Sequence, residues 1–418
     1  MKLSDNNQIS RISYNSNLIA ISKDKILNIY ELNNEYKFIG NFSFNYKINY
    51  IKWSSNSCFI VIGFEKQNFY EIRDLDDNKW VGKITNNNNE KVIYLTISPD
   101  NKNIMILYDD FKLKIINILG NKPIKIFYCV KLLFNNTKSF LFNQNKKLCA
   151  IPFSEKEFDF INIYLSLDFK KIISIKIENS RNNKLFDFYL SKDDKKIIII
   201  NTKLKIFIYN ILGNIEKEFE YDHMHINLYK ISSDKNFICF TNCKDIFIYN
   251  IKEKISYNFT DDLVFYNKKK ENNIKIYEEI ETKNNNIFKN KKIEFNMIEF
   301  SYDSKFIAIN ENNNNSIFIY NINYRNIYSI LNFKNKVKKF KWSPENYILI
   351  IITETLDNIY RYNLDILDYI KIPENITLYN NFKFSYDGNF ILFNENNNKF
   401  FLIKLINIIN NNNNNNIN

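Results

Sequence analysis

The chain has 418 residues, is 45% hydrophobic and 16% aromatic, and carries a formal charge of +12. That length buries a large core, while no run of about twenty apolar residues exists to span a membrane, so no membrane association is expected. Six glycines are too few for the glycine-rich phosphate loops of nucleotide enzymes, and neither G-x-G-x-x-G, a Walker loop nor G-x-S-x-G occurs. A basic balance suits nucleic acid, anionic lipid or an acidic protein, but heavy use of Lys, Asn and Ile also fits AT-rich coding. The low Gly and Pro content implies that Asn takes over turns, because it tolerates the left-handed region. Five cysteines at irregular spacing give no disulfide framework and suit a reducing compartment. The first residues, MKLSDNNQIS, have no apolar signal core, so a cytoplasmic protein is expected.

In chain order, one unit recurs: an alternating strand, a polar turn anchored by Ser, then two apolar strands around a short loop. The anchors are Ser13, Ser54, Ser98, Asn143 (a degenerate copy), Ser191, Ser232, Ser301, Ser343 and Ser385. The clearest copy is Ile298 to Ile322, where Ser301-Tyr302-Asp303-Ser304-Lys305 separates Ile298-Glu299-Phe300 from Phe306-Ile307-Ala308-Ile309 and Ile317-Phe318-Ile319-Tyr320. Successive anchors lie 41, 44, 45, 48 and 41 residues apart as far as Ser232, and 42 and 42 apart from Ser301 on. A period of 40 to 45 with four short strands is that of a propeller blade. The expected fold is therefore all-β, a WD-repeat-type β-propeller of about nine four-stranded repeats. One large ring and a seven-bladed ring with extra repeats both fit the count. Repeats one to six occupy 1–261 and repeats seven to nine 293–409, with an Asn-rich tail at 410–418 expected to be disordered.

The 69-residue gap from Ser232 to Ser301 holds an insertion at 262–292 with net charge +3, including Lys268, Lys269 and Lys270. Its polarity predicts a loop, and Ile274-Lys275-Ile276-Tyr277 within it fits a short strand. The Trp-Asp pair that commonly ends such repeats is replaced by Tyr209-Asn210, Tyr249-Asn250, Tyr320-Asn321 and Tyr362-Asn363, so the usual hydrogen-bond network must be missing or rebuilt.

Candidate chemistry is thin. His223 and His225 alternate as metal ligands would on a strand, but no carboxylate or cysteine set completes a site; Cys239 and Cys243 are wrongly spaced for a zinc knuckle, and no metal or cofactor is expected. No catalytic triad is indicated, so neither an enzyme nor a small-molecule substrate is expected. Lys334, Lys336, Lys338, Lys339 and Lys341 interleave with Phe333, Phe340 and Trp342, a pattern seen in nucleic-acid binders. Phe340 and Trp342 precede a turn anchor, however, which makes them core and the lysines the solvated face. Trp80 falls near an outer strand, where it is either an interface anchor or packed between strands.

Tyr46–Ser54 (YKINYIKWS), Asn78–Ile84 (NKWVGKI) and Ile97-Ser98-Pro99-Asp100 resemble consecutive landmarks of the WD-repeat family of spindle-pole and centrosomal proteins whose human member is encoded antisense to a tumour-protein gene. Lys292 to Ala308 and Val337 to Pro344 resemble its seventh and eighth repeats, and the insertion falls in the same place. The resemblance implies a non-catalytic scaffold at the microtubule-organising centre and spindle pole. Such a scaffold pairs with a coiled-coil anchoring protein, holds microtubule minus ends and takes part in cilium assembly. The resemblance supplies no partner site residue by residue; from their own placement, near an outer strand and in the basic insertion, partner contacts are expected at Trp80, Lys268, Lys269 and Lys270. The alternative expectation is an RNA- or ribosome-associated propeller that uses its basic surface.

Overall fold

The computed structural model describes residues 2–405 except 4–7, 34–35, 78, 86–90, 111, 119–122, 129–139, 144–145, 156–157, 178–184, 192, 202–204, 220–227, 242–244, 254, 260–274, 279–294, 312–314, 355–357, 372–381 and 395–399. They form nine sheets, each a blade and antiparallel but for one added strand in the seventh. Blade 2 is representative: Ile48–Trp53, Phe59–Phe64, Phe69–Asp74 and Val81–Thr85 pair in sequence order. Blades 1 to 8 span 8–43, 48–85, 92–128, 141–176, 185–219, 228–258, 295–332 and 337–371. Blade 9 takes three strands from 382–404 and its fourth from Lys2–Leu3, with Leu3 opposite Phe400.

Nine apolar clusters lie between the blades, one at each seam. The last joins Ile19 and Ile21 of blade 1 to Phe390, Leu392 and Leu402 of blade 9, so the nine blades close into one ring. This decides between the two arrangements that the repeat count allows. Because both faces of each sheet meet a neighbour, the second strands are buried on both sides: every residue of Asn103–Tyr108 and of Leu349–Thr353 is buried. Each such Ile or Phe contributes about 1.5–3 kcal/mol by leaving water, so apolar packing is the main cohesive term.

First strands of neighbouring blades approach one another and line the centre, while fourth strands form the rim. The insertion adds Lys275–Glu278, parallel to Asn326–Asn332, as a fifth strand that covers the rim edge of blade 7; this is the segment the sequence marks as a short strand. Blade 4 departs from the rule. Among the described residues its first strand is Leu141–Phe142, which pairs with Cys149 and Ala150.

The turn chemistry differs from expectation in one respect. Of the left-handed non-glycine residues among the described positions, only Asn101 is an Asn; the rest include Ser16, Ser57, Lys146, Asp194, Lys235 and Ser304. Asn works instead through its side chain. Asn250 Oδ1 accepts from the Lys252 and Glu253 amides, Asn321 Oδ1 from Asn323 and Tyr324, and Asn363 Oδ1 from Asp365 and Ile366. The preceding Tyr209, Tyr249, Tyr320 and Tyr362 are fully buried. Tyr-Asn thus divides its work: the ring fills the blade and the amide closes the third-to-fourth-strand turn.

Candidate functional site

Every blade but the eighth is pinned by a side chain in the turn between its first and second strands. Ser54 Oγ donates to Asn56 Oδ1 at 2.6 Å and accepts from the Phe59 amide at 2.8 Å. Ser13, Ser98, Ser191, Ser232, Ser301 and Ser385 repeat the pattern with Asn15, Asp100, Asp193, Asp234, Asp303 and Asp387. In blade 4, Asn143 Oδ1 takes the serine's place, accepting from Leu148 at 2.9 Å.

These turns also reach across seams. The Asn15 amide donates to Ser57 Oγ at 3.0 Å, Asn56 to Asn101 Oδ1 at 3.3 Å, Asp234 to Ser304 Oγ at 3.3 Å and Asp387 to Ser16 Oγ at 3.0 Å. The left-handed residue of one blade therefore accepts from the turn of the blade before it. This is the network that the missing Trp-Asp pairs leave to be rebuilt.

Third-to-fourth-strand turns emerge on the same face as these anchors, because strands one and three run the same way. At their tips stand large apolar side chains: Leu167 and Leu212 are 73% exposed, Tyr324 79% and Ile366 56%. They sit in blades 4, 5, 7 and 8 around one face of a rigid ring. Tyr386, from the blade 9 anchor, stacks on Tyr14 at 4.3 Å and stays half exposed.

The channel is built by the first strands. In blades 2, 3, 5, 7 and 8 each of these carries a register shift near its start, a bulge that re-aims the residues after it. Beyond the bulge one set of side chains packs in the seam: Ile51 and Trp53, or Phe340 and Trp342. The alternate set faces the centre. Tyr50 Oη donates to the Leu95 carbonyl of the next blade at 2.7 Å, and Lys52 Nζ lies 5.9 Å from the Tyr94 ring. Lys339 and Lys341 belong to this set, which puts two of the five lysines of the sequence's basic cluster on an interior wall. On the far side, Tyr189 and Tyr229 hydroxyls donate to Asp187 at 2.6 and 3.0 Å. Burial, then the Asp187 charge, pushes both phenols above their ordinary range.

Trp80 is half-buried, meets Phe59 edge-on at 5.9 Å and packs in the seam between blades 2 and 3. A side chain added at Gly82 would come within 2.9 Å of its ring. Lys268, Lys269, Lys270, His223, His225, Cys129 and Cys243 lie outside the described residues. Cys149 and Cys239 are buried and Cys58 is partly exposed. Among the described residues no His, Cys, Asp and Glu side chains cluster to hold a metal ion, and no helix is long and apolar enough to cross a membrane.

No family model matches this chain, and no curated protein matches it in sequence. Its fold is similar to that in the crystal structure of the eukaryotic initiation factor, at TM-score 0.63 and 11% identity over 96% of this chain and 94% of that one. It is also similar to the Dos1 propeller, at TM-score 0.53 and 10% identity over 85% and 91%. The C-terminal WD40 domain of Sif2 aligns at TM-score 0.49 and 11% identity over 89% and 97%. Nine blades, the last completed by a strand from the first residues, and turns anchored mostly by Ser make this chain a nine-bladed β-propeller.

Proposed function

We propose that the chain is a non-catalytic scaffold at the spindle pole or microtubule-organising centre, where one face of the ring takes up a coiled-coil partner and through it anchors microtubules. The supporting observation is the set of exposed apolar tips, Leu167, Leu212, Tyr324 and Ile366, fixed on capped turns of one face. Side chains this large and this exposed, held on a rigid frame, are what an interface uses as anchors. Their separation over several blades suits an elongated helical partner better than a compact one. The location is carried by the resemblance of residues 46–54, 78–84, 97–100, 292–308 and 337–344. The test is to image the endogenously tagged chain through division beside a pole marker, with proximity labelling. A polar focus that Leu212→Ser and Tyr324→Ser disperse, with loss of the labelled coiled-coil protein, supports the proposal. A diffuse pattern in the unmodified chain sinks it.

A second reading, an RNA- or ribosome-associated propeller, is favoured by the net charge of +12 and by the lysines on the channel wall. It predicts cosedimentation with ribosomes that weakens steeply with salt. The likeness to an initiation factor is one of fold and does not by itself choose between the readings.

A further inference from the structure

The residue two before each turn anchor faces the channel. It is Lys341 in blade 8, Lys383 in blade 9, Arg11 in blade 1 and Lys52 in blade 2, four consecutive blades across the closing seam. Lys339, two residues before Lys341 on the same side of its strand, makes a fifth cation. Blades 6 and 7 place Lys230 and Glu299 at the corresponding positions, where they bind each other at 2.7 Å. Within the nine first strands the only carboxylates are Glu299, so engaged, and Asp187, covered by two tyrosines. The channel is thus polarised, with five cations on one arc and a sealed carboxylate on the other.

Four of these charges reach Lys383. Burial first, then the charges of Arg11, Lys52, Lys341 and Lys339, depresses Lys383 below the ordinary lysine range. Burial depresses Lys341 and Arg11 likewise, with Glu299 pulling Lys341 the other way. Converging like charges cost stability unless an anion joins them.

We infer that the Lys339, Lys341, Lys383, Arg11 and Lys52 arc is a binding site for a small multiply phosphorylated anion, held inside the channel of the ring. The cations come from four consecutive blades, more than a single phosphate spans, so affinity should climb with the number of phosphoryl groups. Arginine offers its planar fork and the lysines point charges, both suited to phosphoryl oxygens. Single-stranded nucleic acid is the weaker fit, because it needs free aromatic faces for its bases. Here Phe340 and Trp342 are buried in a seam, and Tyr50 Oη is committed to Leu95. The inference stands apart from where the chain works in the cell and from its protein partner.

The test uses the full chain at physiological salt, by calorimetric titration and thermal shift. The probes are myo-inositol hexakisphosphate, inorganic tripolyphosphate, orthophosphate and a short oligouridylate. Hexakisphosphate should bind and raise the melting temperature, with orthophosphate much weaker. Tighter binding of hexakisphosphate than of tripolyphosphate assigns a cyclitol phosphate, and the reverse order a linear one. Lys341→Gln with Lys383→Gln should weaken binding about tenfold or more, while the ligand-free variant melts no lower than the parent, since repulsion has been removed. Lys37→Gln with Lys171→Gln, on exposed rim strands, should change nothing. If the double variant does not fold, Lys383→Gln alone is read the same way. No binding by any polyphosphate, undiminished binding by the channel variants, or tighter binding of the oligouridylate would each overturn the inference.

Discussion

Trp53 and Trp342 occupy the same position in blades 2 and 8, each one residue before its turn anchor and each 3% exposed. The Trp53 indole donates to the Arg11 carbonyl of the preceding blade at 2.9 Å. Trp342 Nε1 is buried with no partner among the described residues, and so is the hydroxyl of Ser343 beside it. One residue accounts for the serine. Every other Ser anchor has Asn or Asp two residues on, whereas blade 8 has Glu345, one methylene too long to close the same tight turn. Across the seam, a side chain at Gly388 would come within 2.1 Å of Ser343 Oγ, and Gly388 is left-handed at φ 70°. That position in blades 1, 2 and 7 is a serine that bonds to its neighbour. The comparison shows that a seam holds without an indole staple when its apolar cluster is intact, here Phe340, Leu349, Ile351 and Tyr362, and other polar pairs, Ser329 with Tyr362 and Tyr347 with Asp303, still cross it.

The contrast can be broken most severely by cutting both tryptophans to alanine, which should cost about 3–5 kcal/mol at either site through the cavity left, read as a fall in thermal midpoint. Phenylalanine separates the two. Trp53→Phe removes the indole bond to the Arg11 carbonyl and should cost about 0.5–1.5 kcal/mol beyond its packing loss, a term absent for Trp342→Phe. Equal midpoint shifts for the two would refute the staple. Ser54→Ala should cost about 1 kcal/mol and Ser343→Ala close to nothing, because only the first hydroxyl is bonded. Glu345→Asp sharpens the same point in the opposite direction, returning about 0.5–1.5 kcal/mol if the shorter carboxylate closes the turn.

The smallest expected effect is a pH dependence at the seam between blades 7 and 8. Burial opposes ionisation of Asp303, but hydrogen bonds from Tyr347, Lys305 and Ser301 outweigh it and hold its carboxyl below the usual range. A depressed carboxylate contributes stability above its unfolded pKa and loses it as pH falls through the folded value. The midpoint difference between the parent and Tyr347→Phe should therefore be largest near neutrality and vanish in acid below the ordinary carboxylate range.

Much of the fold is legible because weak signals agree in phase: nine anchors at a near-constant period specify a propeller although no single repeat does. The ring closure is not legible, since Lys2–Leu3 is a two-residue strand with no pattern of its own. The stitches between blades use Ser16, Ser57 and Ser304, which read as ordinary turn residues until a neighbouring turn is brought against them. For the channel, alternation shows that Lys339 and Lys341 share a side opposite Phe340 and Trp342, but only curvature of the whole array makes that side an interior wall. Arg11, Lys52 and Lys383 were readable in principle as the residue two before each anchor, a column that acquires meaning once the blades stand in a circle. Lys268, Lys269 and Lys270 belong to a stretch where composition is the only guide.

The clasp between the two ends of the ring also governs how the chain emerges from a ribosome. Ile19 and Ile21 are made long before Phe390, Leu392 and Leu402, which cover them, and the Ser16 hydroxyl waits for an amide 371 residues downstream. Throughout synthesis blade 1 presents a bare greasy flank, and the unfinished hoop can grip either its own tail or the tail of another nascent copy. Slow or crowded translation should therefore favour entangled dimers, and the cell must shield that flank until the last blade arrives.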